Sequence, residues 1–160
     1  MRPATALAVA VLRAGCPCWG AGSSASMTPL LRPGDRLLVD PARRPRRGDL
    51  VAVVRGGAVV VHRVVARAPG GCWTKGDAAL ALDPFVTDRE VLGTVTVLET
   101  APGRRLALGR TPWRAVQWLL GGCAWAAARL VPRLGAPALA RLAWRGLRAP
   151  FYVAAWWARR

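Results

Sequence analysis

Two valine-rich runs split by a pair of glycines constrain this chain more than any other feature: DLVAVVR at 49–55, Gly56-Gly57, then AVVVHRVVA at 58–66. Valine is stiff at its first side-chain torsion and packs well on a pleated surface, so both runs read as strands. A two-glycine link supplies the positive φ values of a tight hairpin turn. The neighbouring segments carry the same signature. RLLVD (36–40) follows a Pro33-Gly34-Asp35 turn and reads as a short strand, and VLGTVTVLE (91–99) as another. PARRPRRGD is a Pro- and Arg-rich loop, APGG (68–71) is a turn, and CWTKGD enters a loop that runs to about Glu90. Residues 20–100 therefore predict a mainly β fold with many turns and no long helix, a small, coiled, partly closed β-structure.

The rest of the chain has a different composition. Its 160 residues suit one domain with an appendage, and 53% hydrophobic content excludes a disordered chain. The net charge of +16 is built from 23 arginines, one lysine and eight acids. All eight acids precede residue 100, whereas residues 111–160 hold eight Arg, no acid and six of the eight Trp. A boundary is expected near Gly109–Pro112. It separates an apolar N-terminal segment (1–20) and a β domain (21–109) from a helical, Arg- and Trp-rich appendage (110–160). Such a lopsided Arg excess is weak evidence for specific nucleic-acid binding, and none is expected.

Within the appendage, residues 115–128 are uncharged, but fourteen residues are short for a membrane span. Arg141, Arg145 and Arg148 fall at i, i+4 and i+7, which predicts a basic helical face with Leu139, Ala143 and Leu147 opposite. Basic amphipathic helices carrying Trp suit a membrane interface, so membrane association through this tail is expected, its face unspecified. The competing reading is that the helices cover the β domain with Arg turned to water. At the other end, ATALAVAVL (4–12) is too short to span and predicts a short helix or strand packed on the domain. Cys16, Cys18, Cys72 and Cys123 lack the spacing of a metal knuckle, and no metal or cofactor is expected.

Chemistry enters with GSSASMTPLLRPGD (22–35), where three serines in four residues precede a Met, a Pro and a Gly-Asp turn. A serine attacks a carbonyl only when a base takes its proton. The chain has one histidine, His62, inside a Val-rich strand, and two carboxylates, Asp77 and Asp83, that could orient an imidazole.

These segments resemble, in order, the boxes of type I signal peptidases in the S24/S26 superfamily of serine peptidases. SASMTPLLRPGD resembles the serine box, RRGDLVAVV the next, VVVHRVVA the base box, WTKGDAALALDP the final one, and VLGTV the strand that follows. The resemblance covers about residues 22–98. The common bacterial branch has lysine before the Arg of the base box. Here His62 precedes Arg63, which resembles the Ser-His-Asp branch of the endoplasmic reticulum, archaea and some Gram-positive bacteria. The resemblance implies Ser26 as nucleophile, His62 as general base, Asp83 as third catalytic position and Asp77 as a supporting carboxylate. It also implies Ser24 and the Ser26 backbone N–H as oxyanion donors, with Met27 and Pro29 shaping the loop and substrate groove. Lys75 is then not the base, and Asp35 and Asp49 are structural turn carboxylates. The implied function is a serine endopeptidase cleaving exported or precursor peptides, preproteins included, after small residues.

Three features depart from the pattern: no convincing N-terminal membrane anchor, Ala78-Ala79-Leu80 where Asn is common, and the Arg/Trp-rich tail. Three other readings remain open. One is a catalytically inactive peptidase fold that binds membranes. The second is a self-cleaving repressor relative, which needs a DNA-binding segment ahead of the serine box. The third is a nucleic-acid binder resting on charge alone.

Overall fold

In the computed structural model, which describes residues 3–22, 24–101, 103–134 and 137–160, the glycine pair turns as its sequence demands. Gly56 and Gly57 take φ of +55° and +75°, joining β3 (Leu50–Arg55) to β4 (Ala58–Ala68) in register from Leu50 opposite Arg63 to Arg55 opposite Ala58. Strand β3 is apolar at every position from Leu50 to Val53 and is buried on both faces. Leu50 and Ala52 face the main core, which includes Leu30, Leu37, Val65, Leu98, Leu120 and Phe151. Val51 and Val53 face a smaller cluster with Val64, Cys72 and Val86. Alternation of side chains along a strand places these two sets on opposite sides.

Around this hairpin lies one antiparallel sheet of eight strands. The remaining strands are β1 (Cys18–Ala21), β2 (Arg36–Asp40), β5 (Gly71–Lys75), β6 (Val86–Thr87), β7 (Val91–Glu99) and β8 (Arg105–Ala107). The order is β1-β2-β7-β3-β4-β5-β6, with β8 added to β7. No pairing among the described residues joins β1 to β6, so the sheet is open and its closure is less than the sequence predicted. A second difference concerns Gly71–Lys75. It is a strand and not the start of a loop, because Cys72 and Thr74 are buried and pair across to β4 through a shift between Val64 and Ala66.

The N-terminal segment forms helix α1 (Pro3–Arg13), which packs Val9 and Leu12 into the main core. The C-terminal region forms helices α2 (Trp113–Leu130) and α3 (Pro137–Arg159). Helix α2 approaches the turn before β3 backbone-to-backbone. A Cβ on Gly48 would stand 2.3 Å from the Gln117 carbonyl oxygen, and one on Gly121 would stand 2.8 Å from the Gly48 Cα. The two glycines are thus a docking notch, and a side chain at either would push the helix off. Helix α3 buries Phe151, Ala154, Ala155 and Ala158, and its Trp157 stacks on Trp113 with ring centroids 4.9 Å apart. The expected helical face is only half right. Arg141 and Arg145 are exposed, but Arg148 is half-buried and turned toward the serine loop, while Leu139 is exposed. Arg148 lies where the helix meets the β domain, so its position in the structure follows contact and not spacing.

Candidate active site

Ser26 sits in a single turn of 3-10 helix, Ala25–Met27, that Ser24 caps. The Ser26 N–H donates to Ser24 Oγ at 3.1 Å, and both the N–H and hydroxyl of Thr28 donate back to the Ala25 carbonyl. Buried Met27, Leu30 and Leu31 pin the loop to the core. Beyond them Arg32–Asp35 closes a turn in which Gly34 has φ +91° and Asp35 accepts the Arg32 N–H at 2.8 Å. On its other side the loop is fixed by the Ser26 carbonyl, which accepts the Ala78 N–H at 2.9 Å. Gly76 makes this approach possible, since a Cβ there would lie 2.8 Å from the Ser26 carbonyl oxygen and 3.3 Å from His62 Nε2.

His62 projects from β4 toward this loop. Its Nε2 lies 3.2 Å from Ser26 Oγ and its Nδ1 2.6 Å from Asp83 Oδ2. Asp83 is held in turn. The Thr74 hydroxyl donates to Oδ2 at 2.6 Å, Arg55 stands 3.1 Å from Oδ1, and the Asp83 N–H donates to the Thr74 carbonyl. Burial alone would push the Asp83 carboxyl up. The hydrogen bonds from His62 and Thr74, with the charge of Arg55, outweigh it and hold the group below its ordinary range. An ionised Asp83 can only accept, so Nδ1 carries the hydrogen between them, and when the ring is neutral its Nε2 lone pair faces the Ser26 hydroxyl. That is the geometry in which an imidazole takes a proton from serine.

The two candidate carboxylates thus separate. Asp83 reaches His62, whereas Asp77 makes a two-pronged pair with Arg63 at 2.8 and 2.6 Å, fully buried. Arg63 also donates to the Gly48 carbonyl and to Gln117 Oε1, and its guanidinium lies over the Phe151 ring. Lys75 is buried too. Its Nζ donates to the Gly76 carbonyl at 3.2 Å and lies 5.0 Å over the Trp144 ring of α3, and burial pushes its pKa down to about 8. Asp35 and Asp49 both accept the N–H three residues back, at 2.8 Å each, in matching Arg-x-Gly-Asp turns.

Ser24 departs from the expected arrangement. It lies beside Ser26, but the two proposed oxyanion donors are bonded to one another, so the Ser26 N–H must leave Ser24 before it can serve a substrate oxygen. Met27 lines a hollow of about 110 Å³ next to Ser26, together with Leu31, Leu37 and Val59–Val61. This hollow shares Ala21, Leu37, Val59 and Val61 with a groove of about 900 Å³ between α1, β1 and β4. Pro29 is buried behind the loop and lines neither. Sequence reasoning missed Arg55, Thr74, Gly76 and Gln117. Thr74 and Gly76 are visible as members of the Thr-Lys-Gly-Asp box, while Arg55 and Gln117 carry no local signal. The part played by helix α3 carries none either. Arg148 donates to the Thr28 carbonyl at 3.4 Å, and Arg159 pairs with buried Asp35 at 2.7 Å.

Residues 6–74, less than half of the chain, match the profile of a family described as Peptidase S24-like. No curated protein and no solved structure matches the chain. The matched segment supports a serine-peptidase-type fold. It contains Ser26 and His62 and stops just short of Asp77 and Asp83.

Proposed function

We propose that this chain is a serine endopeptidase resembling signal peptidase I of the Ser-His-Asp branch, cleaving exported or precursor peptides after small residues. The observation that carries the reading is the unbroken series of contacts from Ser26 Oγ through both ring nitrogens of His62 to Asp83. In the first half-reaction Ser26 Oγ attacks the scissile carbonyl and His62 Nε2 takes the hydroxyl proton. Asp83 keeps the ring in the required tautomer and stabilises the imidazolium that forms. The Ser26 N–H then turns from Ser24 Oγ to the developing oxyanion, and the Ser24 hydroxyl, which has kept its own hydrogen, donates alongside it. Donors of this kind are worth about 3–4 kcal/mol each. Collapse of the intermediate breaks the peptide bond, and the His62 proton leaves with the amine. Water, deprotonated by the same imidazole, then attacks the ester carbonyl; the C–Oγ bond breaks, the acid leaves, and the His62 proton returns to Ser26 Oγ.

The preference for small residues is supported by the hollow beside Ser26, which at about 110 Å³ and with Val and Leu walls fits an alanine-like side chain better than an aromatic one. An extended substrate would lie along the apolar groove that joins it. The test is cleavage of a peptide that carries Ala-x-Ala followed by further residues, read at the bond after the second Ala. Ser26→Ala and His62→Ala should each lose at least about 10³-fold in kcat. Full activity in either variant removes this mechanism. A wild-type protein that neither cleaves nor reacts at Ser26 with a serine-directed phosphonate would favour the inactive-fold alternative.

A further inference from the structure

Helix α3 has two unlike faces. Its inner face is occupied: Phe151, Ala154, Ala155 and Ala158 are buried, and Arg159 holds Asp35. Its outer face carries Leu139, Leu142, Gly146, Ala149, Val153 and Trp156, spaced 3, 4, 3, 4 and 3 residues apart. All six are exposed, with Leu142 at 68% and Val153 at 66%. This spacing draws a continuous apolar stripe along one side of a helix. Arg141, Arg145 and Tyr152, all exposed, form one shoulder of the stripe, and Arg160 lies 4.0 Å over the Trp156 ring at its end.

We infer that this stripe docks on the surface of an anionic lipid bilayer, with α3 lying in the interface plane. Charge decides the occupant. Residues 111–160 hold eight Arg and no Asp or Glu, so a second copy packed on the same stripe would bring like charges together, whereas acidic headgroups would neutralise them. The apolar stripe is what a nucleic acid would leave uncovered and what acyl chains would cover. Tyr152 and Trp156 present the amphipathic rings that settle at headgroup depth. No helix among the described residues is long and apolar enough to cross a membrane, which fits a helix lying on the bilayer and not through it. This inference does not rest on the peptidase reading.

Full-length protein would be floated with vesicles of phosphatidylcholine alone and of phosphatidylcholine with about 30% phosphatidylglycerol. The wild type should float with the anionic vesicles and stay behind with the neutral ones. The double variant Leu142→Glu/Val153→Glu should lose flotation by at least about tenfold while keeping its far-ultraviolet spectrum and melting temperature, since both side chains are exposed. Arg141→Gln/Arg145→Gln should weaken flotation and flatten its salt dependence. Wild-type protein that ignores anionic vesicles, or a glutamate variant that floats as well as wild type, overturns the inference. A concentration-dependent dimer abolished by the glutamates, without flotation, assigns the stripe to a second copy and overturns it equally.

Discussion

Strand β4 places two adjacent residues on opposite faces of the sheet, and each takes one of the chain's two clustered aspartates. His62 meets Asp83 on the half-open side beside Ser26, and Arg63 meets Asp77 in full burial on the other. The contrast shows how one stretch of sequence supports both chemistry and structure. Asp83 is held by groups that stabilise its charge, and the imidazole it orients faces a serine. Asp77 faces a permanent cation that also binds the Gly48 carbonyl and Gln117, so every polar atom there is committed. A fully satisfied and fully buried polar cluster resists change, whereas the His62–Asp83 pair is partly open, so a substrate can reach the imidazole and the serine.

Breaking each pair should therefore have opposite consequences. Asp83→Asn is expected to lower kcat by about 10³–10⁴-fold with little loss of stability, because the imidazole loses its tautomer control but Thr74 can still bond the amide. Arg63→Met leaves Asp77 buried without a partner and is expected to cost about 3–5 kcal/mol in stability, seen as a large fall in denaturant midpoint. The comparison fails if Asp83→Asn unfolds the chain or if Arg63→Met leaves the midpoint in place. A double change, Arg63→Met with Asp77→Leu, should recover most of that loss, since the charge and its orphaned partner go together.

Lys75 sharpens the same contrast, for it is buried on the structural side, and among the described residues no carboxylate bonds its amine. Its folded pKa of about 8 lies below the ordinary 10.5. Between those values the unfolded chain binds a proton that the folded chain does not, so stability rises with pH across that window and the burial penalty is full below it. Subtracting Lys75→Met unfolding curves from wild-type curves should reveal a gain of about 3 kcal/mol between pH 8 and 10.5. A flat difference would mean that Lys75 keeps its proton as easily folded as unfolded.

Much of this arrangement is legible in the order of the residues. The valine runs, the Gly56-Gly57 turn and the strands at 36–40 and 91–99 are local features, because β-branched residues and glycines act through their own backbones. The Ser26, His62 and Asp83 positions follow from the order of the boxes. Strand β5 is hidden because Cys-Trp-Thr-Lys runs straight into a Gly-Asp turn, and only pairing with the long β4 extends it. Strands β1 and β8, of four and three residues, are defined almost wholly by their partners. The Ser24 bond to the Ser26 N–H depends on the curl of one turn. Arg148 reads as the third member of a solvent face, because helical spacing alone does not say where a neighbouring loop will stand.

Asp35 and Asp49 extend the comparison to the ends of the chain. Both close an Arg-x-Gly-Asp turn by accepting the N–H three residues back, and their glycines share a φ near +90°. Their further partners differ. Asp49 has Arg114 of α2 at 3.6 Å, whereas Asp35 receives Arg159 of α3 at 2.7 Å and the Ala101 N–H at 3.0 Å. Burial raises the Asp35 carboxyl, but these bonds outweigh it and hold the group below its ordinary value. A depressed carboxylate adds stability above its unfolded pKa of about 3.9 and loses it as pH falls through the folded value. Arg159→Gln should therefore cost about 1–2 kcal/mol near neutral pH, and the gap from wild type should close as pH falls through the folded value of Asp35. Arg114→Gln, acting through the longer contact, should cost under about 1 kcal/mol. Because Arg159 also donates to the Leu30 carbonyl in the serine loop, its loss should slow labelling of Ser26 by a phosphonate, and Arg159→Lys should restore part of it. Equal effects at Arg114 and Arg159 would show that the two turns are held alike, and that α3 has no special hold on the loop bearing the nucleophile.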